Sequence, residues 1–215
     1  MVHGEAAASA TARDAVARTE LLDAPLGHNG VVSADRLTGR LLVATPQIEE
    51  GIFHRSVVLV LQHDDGGAQG VVLNKPLGAD IDAVLPGWGE HATEPDTLFQ
   101  GGPVQLDSAL GLVAVDGRAV DGVQQIFAGI GLVDLDAPPA AVAAKVAAVR
   151  IFVGYAGWSP GQLEGELRTG SWYAVSSRPE DAFSLDPEQL WASVLRRQPG
   201  QLAWLAFLPE DPSVN

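Results

Sequence analysis

The stretch SVVLVLQHDDGGAQGVVLN (56–74) carries the strongest structural signal in the chain. Two apolar runs, SVVLVLQ (56–62) and AQGVVLN (68–74), are separated by His63-Asp64-Asp65-Gly66-Gly67. An Asp-Gly pair between two apolar runs is typical of a β-hairpin. Because the aliphatic residues follow one another without polar alternation, both faces of the hairpin should be buried. The stretch therefore predicts a hairpin in the middle of a sheet, with layers above and below it.

Further strand and helix signals follow this hairpin along the chain. The pattern predicts strands at 97–101, 109–116, 123–129, 150–156 and 171–175, and helices at 80–86, 138–149 and 186–198. This order of hairpins and helices favours a mixed sheet over a regular βαβ repeat. The predicted fold class is a compact α/β protein. Its central mixed, largely antiparallel sheet should be covered by helices on both faces, as in a three-layer sandwich.

Composition divides the chain of 215 residues into a body and two ends. At 47% hydrophobic and 19% charged residues, the chain can bury a sizeable core. Residues 1–38 are predicted to form an N-terminal extension, of which at least 1–20 should be a mobile tail because it lacks large apolar side chains. Residues 39–209 should form a single α/β domain, with or without an inserted subdomain, and 210–215 a short tail.

Composition also excludes several classes of function. The chain has no cysteine, which rules out disulfides, thiolate metal sites and cysteine nucleophiles. It has no run of 18 apolar residues and no apolar leader, so we expect a cytoplasmic protein without a membrane partner. The net charge is −14, and an acidic surface of this kind opposes direct binding to nucleic acid.

The segment GYAGWSPGQLEGEL (154–167) contains the pattern G-x-S-x-G, which is typical of the nucleophile elbow of α/β-hydrolases. In such an elbow, the residue after the serine donates its backbone N–H to the oxyanion, and Pro160 has no N–H to donate. All five histidines also precede Ser159, whereas the hydrolase order places histidine last. We therefore predict that Ser159 is a helix N-cap, with Pro160 in the first turn and Gln162 completing a capping box. No catalytic residue is predicted.

Metal and cofactor sites are not predicted either. His63, Asp64 and Asp65 could ligate a metal, with His54 as a further ligand if the fold brings it near, but a solvated Asp-Gly turn explains the aspartates without one. Gly129-x-Gly131 lacks the third glycine of a dinucleotide-binding fingerprint.

Six residues remain as candidates for binding a ligand or a partner. Asn74 ends an apolar strand, where an amide is most often a turn cap. The Gly101-Gly102 pair permits close approach either by another chain segment or by a ligand. Trp158 could form the wall of a small pocket, or it could pack as a core aromatic residue. We expect the candidates to converge where strand ends meet a helix N-terminus; they are Asn74, Gly101, Gly102, Tyr155, Trp158 and Gln162.

The sequence resembles the bacterial AlgH/YqgE family. The resemblance is carried by GRLLVATPQIEEGIFHRSVVLVLQHDDGGAQGVVLNKPL (39–77), FQGGPVQLDSALGLV (99–113), the segment 154–167 and SWYAVSSRPEDAF (171–183). It covers roughly residues 39 to 209. It implies a compact α/β protein with a central mixed sheet and supplies no known catalytic residue. Members are described as candidate transcriptional regulators or as uncharacterised proteins.

Three classes of function remain, in this order. The first is a regulatory or interaction protein without catalytic activity, because every catalytic pattern fails on a stated requirement. The second is a small-molecule-binding protein or an enzyme whose site the sequence does not display. The third is a DNA-binding transcriptional regulator, which the charge opposes. The partner is expected to be a protein or a small ligand of unknown identity.

Overall fold

The computed structural model describes residues 37–127 and 129–208. The predicted mobile tail (1–20), nearly all of the N-terminal extension and the segment 210–215 lie outside these residues. The described part contains nine strands, which are β1 (Arg40–Ala44), β2 (Val57–Asp64), β3 (Gly67–Val72), β4 (Phe99–Gln100), β5 (Val104–Ala114), β6 (Val123–Phe127), β7 (Ile130–Val133), β8 (Ala148–Trp158) and β9 (Trp172–Ser176). It also contains four short α-helices, which are α1 (Pro139–Ala143), α2 (Gln162–Arg168), α3 (Leu190–Arg196) and α4 (Leu202–Leu205).

The predicted hairpin is confirmed. Strands β2 and β3 pair antiparallel, and the turn between Asp64 and Gly67 has two residues. The Oδ1 atom of Asp64 accepts a hydrogen bond from the backbone N–H of Gly66 at 2.7 Å, which fixes the turn. The strand order β6-β7-β5-β8-β3-β2-β1-β9 places the hairpin inside the sheet, between β8 and β1.

The predicted three-layer α/β sandwich is wrong. The protein is mostly β, with a curled antiparallel sheet shaped like a half-barrel and only 18% helix. Apart from the short β4, which runs parallel to β8, the paired strands are antiparallel. The aliphatic runs are buried on both faces, but much of the second layer comes from the sheet curling over itself rather than from helices.

The curl is visible in the composition of the largest core cluster. It joins Leu41 of β1 and Leu59 of β2 to Leu112 of β5 and Ile130 of β7, all of them almost fully buried. Trp191 belongs to the same cluster and brings α3 into the concave side of the half-barrel. Residues far apart in strand order therefore share one core.

Two of the predicted helices do not form over their predicted ranges. In the segment 138–149 the helix ends at Ala143, and Val149 already belongs to β8. Pairing between β8 and β5, with Val149 opposite Val113, outweighs the helical preference of the alanines. Residues 80–86 form turns instead of a helix. The predicted helix at 186–198 is shorter and begins at Leu190.

No helix among residues 37–127 and 129–208 is both long and apolar enough to cross a membrane.

Candidate functional site

Asn74 is a structural amide that ties the two ends of the hairpin together. It is 5% exposed. Its Oδ1 atom accepts a hydrogen bond from the backbone N–H of Val57, and its Nδ2 atom donates one to the carbonyl oxygen of Arg55, both at 2.9 Å. Both ends of the amide are therefore engaged with the backbone that leads into β2, in keeping with the capping interpretation.

Gly101 and Gly102 are packed against another strand. A Cβ atom on Gly101 would lie 2.3 Å from the carbonyl oxygen of Gly154, and one on Gly102 would lie 2.0 Å from the carbonyl carbon of Tyr155. The N–H of Gly101 donates to the carbonyl oxygen of Val153 at 2.8 Å. The close approach that the glycines permit is therefore made by β8 of the same chain.

Trp158 and Gln162 converge on a carboxylate that the sequence analysis does not single out, that of Glu166. The indole N–H groups of Trp158 and Trp172 both donate to Glu166 Oε2, at 2.9 and 2.8 Å. The Nε2 atom of Gln162 donates to Glu166 Oε1 at 2.9 Å. Phe53 packs against both indoles. We call this group, Phe53, Trp158, Gln162, Glu166 and Trp172, the Glu166 corner.

The aromatic rings of the Glu166 corner fill the space between them. The ring centroids of Trp158 and Trp172 are 6.1 Å apart, and Trp158 is only 7% exposed. These distances are those of packed aromatic pairs. The corner therefore resembles a small aromatic core with a partly buried acceptor more than the wall of a ligand pocket.

The prediction that Ser159 is the N-cap is wrong. Helix α2 begins at Gln162, and its N-cap is Gly161 with a φ of +75°. A glycine accepts this left-handed conformation without strain, so the chain makes an extra turn before the helix starts. Only half of the capping box forms, because Gln162 Oε1 accepts the backbone N–H of Ser159 at 3.0 Å. Within the described residues, the Ser159 hydroxyl has no hydrogen-bond partner, and no histidine reaches it.

His63 joins α2 to the start of the described chain. Its Nδ1 atom accepts the backbone N–H of Leu37 at 3.1 Å, so in the neutral ring the proton is on Nε2. That atom lies 2.7 Å from Glu164 Oε1. Hydrogen bonding by its own backbone amide and by the His63 ring lowers the pKa of the Glu164 carboxyl. Within residues 37–127 and 129–208, no three histidine, aspartate or glutamate side chains gather as a metal site would require.

The six candidate residues are not brought to one cavity. Tyr155 and Trp158 border a shallow depression of about 450 Å³ beside Ser159, together with Gln62 and Gln69. Gln162 is exposed at the start of α2. Asn74 instead lines a different and larger cavity. Whether any of the six binds a ligand stays a prediction.

The larger cavity is a groove of about 610 Å³ next to the open end of the hairpin. Among the described residues, four side chains that are or can be cationic line it, and Glu188 is the one carboxylate in that part of its lining. We call it the cationic groove; its lining residues are His54, Arg55, Asn74, Lys75, Pro76, Leu77, Gln100, Glu188, Gln189, Trp191, Ala192, Arg196, Ala206 and Leu208.

Two of the basic side chains of the cationic groove, Arg55 and Lys75, are held in place by contacts with the protein. The Arg55 guanidinium stacks over the Trp191 ring, 4.5 Å from its centroid, and also donates to the carbonyl oxygen of Leu208. Lys75 Nζ donates to the carbonyl oxygen of His54 at 2.9 Å. Arg196, in the last turn of α3, is exposed. The groove thus combines two anchored cations with one that reaches into solvent.

A further arginine is buried away from the groove. Arg150 is 1% exposed, lies over Phe99 at 4.4 Å and donates to the carbonyl oxygens of Glu94 and Ala182 at 2.7 and 3.2 Å. Burial lowers the pKa of Arg150 to about 10, so it stays charged at neutral pH. Its two backbone acceptors indicate a structural tie between β8 and the neighbouring loops.

The comparisons with known proteins agree with one family. The AlgH-like family model matches residues 41–203, which is well over half of the chain. The chain belongs to the AlgH-like family. The resemblance to AlgH/YqgE proteins is therefore confirmed.

AlgH-like relatives cover nearly the whole described part. A UPF0301 protein of Streptomyces coelicolor is 53% identical over 192 residues, covering 87% of this chain and all of that protein. A UPF0301 protein of Mycobacterium tuberculosis is 44% identical, with 82% and 90% covered. Neither name states an activity, substrate or partner.

Two solved AlgH-like structures have the same fold. A crystal structure of a protein from Corynebacterium diphtheriae has a TM-score of 0.75 and 30% identity, and the match covers 85% of this chain and 95% of that one. The solution structure of the AlgH protein from Pseudomonas aeruginosa has a TM-score of 0.62 and 28% identity, with 84% and 98% covered.

The cationic groove of this AlgH-like chain is absent from the sequence predictions, although the sequence holds a signal for it. His54 and Arg55 lie two to three residues before β2, and Lys75 lies three residues after β3. Because the ends of an antiparallel hairpin meet, basic residues at its two open ends come together. Arg196 could not be found in this way, since its position depends on how α3 packs into the half-barrel.

Proposed function

We propose that this chain is a cytoplasmic regulatory or interaction protein without a catalytic centre, and that it binds negatively charged groups of its partner or ligand in the cationic groove. The observation that carries the proposal is the concentration of positive charge. The chain has 13 lysines and arginines against 27 acidic residues, yet Arg55, Lys75 and Arg196 all line this one groove. His54 adds a fourth side chain that can become cationic.

The surrounding negative charge supports this choice of site. With a net charge of −14, the protein repels anions over most of its surface. On such a protein, an anion binds at a concave, positively charged patch, because there the local attraction exceeds the repulsion from the rest of the surface. Arg55 and Lys75 are only partly exposed, so salt screens their charges less than it would screen fully exposed ones.

Backbone strain at Arg55 is a second support. Its φ is +51°, a left-handed conformation that costs a non-glycine residue on the order of 1 kcal/mol. Such strain persists where the surrounding structure enforces it, and it is enriched at binding sites. The guanidinium of this strained residue lies over the Trp191 ring, and both residues line the groove.

The absence of a catalytic centre is supported by the chemistry of the G-x-S-x-G segment. Pro160 cannot supply the oxyanion N–H, and the neighbouring helix start is occupied by the hydrogen bond between Gln162 and the Ser159 N–H. His63, which could act as a base, is engaged by Leu37 and Glu164. With one ring nitrogen accepting the Leu37 N–H and the other bonded to Glu164, His63 has no nitrogen left to accept a proton from Ser159.

The test is a titration of the full chain with sodium phosphate, followed by ¹H–¹⁵N NMR. Backbone amide shifts should change mainly at residues that line the groove. Arg196→Gln removes one charge-assisted hydrogen bond and should weaken phosphate binding about tenfold. The matched control is Arg118→Gln, because Arg118 is an exposed arginine outside the groove. Equal weakening in both variants, or shifts spread over the whole surface, would contradict the proposal.

A DNA-binding regulator is the competing function. The groove is too small to follow a duplex, and the acidic surface around it repels phosphate backbones. A mobility-shift assay at low and physiological salt should therefore give no retarded band. A salt-dependent band that Arg196→Gln abolishes would replace the present proposal with nucleic-acid binding.

A further inference from the structure

An aromatic pair lies exposed beside the cationic groove. Trp204 and Phe207 are 75% and 72% exposed, and their ring centroids are 6.5 Å apart. They are three residues apart on α4 and the turn that follows it, so they share one face. We call this pair the aromatic shelf. Large aromatic side chains are seldom left in water as an adjacent pair, and exposed apolar patches commonly mark sites of interaction.

The aromatic shelf is continuous with the cationic groove. Ala206 and Leu208, on either side of Phe207 in sequence, both line the groove. Arg55 donates a hydrogen bond to the carbonyl oxygen of Leu208, so the segment that carries the shelf is attached to the groove's principal cation. The opposite side of α4 is packed, since Leu202 and Leu205 contact the largest core cluster. The shelf therefore faces away from the core on an anchored support.

From this arrangement we propose that the surface recognises an extended segment of a partner protein in which acidic residues lie next to large apolar ones. The proposal rests on the proposed function, because the carboxylates would occupy the cationic groove beside Arg55, Lys75 and Arg196. The apolar side chains would cover Trp204 and Phe207. A small anion would fill only the groove and leave the shelf in water, whereas a peptide strand advances about 3.3 Å per residue and reaches both.

The net charge of the protein and the aromatic chemistry of the shelf favour this partner over others. Another copy of the chain would bring its own large negative charge, which opposes close self-association. An acidic and apolar peptide supplies both complements, since carboxylates pair with arginine and apolar side chains stack on indole and phenyl rings. Affinity should come from the aromatic contacts, and orientation from the charges.

The experiment measures the fluorescence anisotropy of a fluorescein-labelled peptide, Asp-Glu-Asp-Leu-Phe-Leu, with the full chain. The double substitution Trp204→Ala and Phe207→Ala should weaken peptide binding at least about tenfold, because large aromatics dominate such contacts. The same variant should bind phosphate like the wild type. Arg196→Gln should weaken both ligands, and Leu185→Ala, which removes another exposed apolar side chain, should change neither.

Results that contradict the peptide inference can be told apart from results that contradict the proposed function. If the shelf variant binds the peptide as tightly as the wild type, or if an all-acidic peptide binds equally well, the shelf has no role and the inference is wrong, while phosphate binding keeps the proposed function. If Arg196→Gln leaves both ligands unaffected, the proposed function itself fails. Sedimentation that shows a dimer abolished by the shelf variant would assign the shelf to a second copy and overturn the inference. Circular dichroism confirms the fold of each variant.

Discussion

A single carboxylate organises the corner where β8 leads into α2. Glu166 lies between two indole N–H groups and the amide of Gln162, and the two tryptophans that it satisfies are almost fully buried. A buried donor that loses its acceptor costs far more than an ordinary hydrogen bond contributes. Two residues of the segment 154–167 that look functional in sequence, Trp158 and Gln162, therefore have a structural role as hydrogen-bond donors to Glu166.

This structural role predicts the effect of removing the carboxylate. Glu166→Ala should lower the free energy of unfolding by roughly 2–4 kcal/mol, because two buried indole N–H groups lose their acceptor. Glu166→Gln, which keeps one acceptor oxygen, should cost clearly less. Urea unfolding measures both, with Glu49→Ala at an exposed site as the control. Stability equal to the wild type in Glu166→Ala would show that the indoles do not depend on this carboxylate.

At the scale of elements, a close contact between β8 and the segment after β4 lies between the cationic groove and the smaller depression. Gly101 and Gly102 allow that segment to lie directly against the β8 backbone at Gly154 and Tyr155. Gln100, one residue before, lines the cationic groove, while Tyr155 borders the smaller depression. The two cavities are therefore separated by a contact that only glycine permits.

Two glycine-to-alanine changes should have opposite effects on the free energy of unfolding, because only one of them lies at this contact. Gly102→Ala should destabilise the protein by on the order of 3 kcal/mol, because its Cβ would lie 2.0 Å from the Tyr155 backbone, which must then shift. Gly165→Ala, in α2 and with no atom within 4 Å of the added Cβ, should stabilise it by about 0.5–1 kcal/mol. Thermal and urea unfolding give both values. A neutral Gly102→Ala would mean that the two segments can separate freely.

Local signals in the sequence predict the hairpin correctly, because two aliphatic runs and a short turn define it without reference to other elements. The same signals fail at 138–149, where strand pairing of Val149 with Val113 overrides the helical preference of alanine. They also lead to the wrong layer arrangement. Burial on both faces of a strand is readable from composition, but whether a helix or a curled sheet provides the cover depends on long-range packing.

The candidate site shows the same limit. Asn74 and the diglycine are noticed in the sequence because their residue types are unusual for a strand end, yet their partners are backbone atoms of distant segments. The cationic groove depends on α3 carrying Arg196 to the open end of the hairpin. No spacing within the sequence encodes that meeting, since residues 75 and 196 are joined only through the fold.

Taken as a whole, the molecule has its largest core cluster inside a curled sheet, and short helices pack on both faces of that sheet. Helix α3 enters the concave side through Trp191, whose indole N–H donates to the carbonyl oxygen of Ala44 at 2.9 Å. Helix α2 covers the other face through Leu163. The hydrogen bond between His63 and Glu164 connects α2 to the hairpin.

The lowered pKa of Glu164 predicts how stability changes with pH. A carboxyl whose pKa is lower in the folded protein than in the unfolded chain stabilises the fold above its unfolded pKa, and this contribution is lost as the pH falls through the folded pKa. The stability difference between the wild type and Glu164→Gln should therefore be largest near neutral pH and disappear in acid. Urea unfolding over a pH series measures it, and a difference independent of pH would contradict the assignment.

The uneven burial of the five tryptophans gives the protein an optical asymmetry. Four of them are less than 10% exposed, namely Trp88, Trp158, Trp172 and Trp191, whereas Trp204 is 75% exposed. A neutral aqueous quencher such as acrylamide should therefore collide mainly with Trp204, and the red edge of the emission spectrum should belong mostly to that one indole. Anything that covers the aromatic shelf would shield this emission and shift it to the blue. The wild-type chain thus carries an intrinsic reporter of shelf occupancy, readable without a dye and without altering a residue.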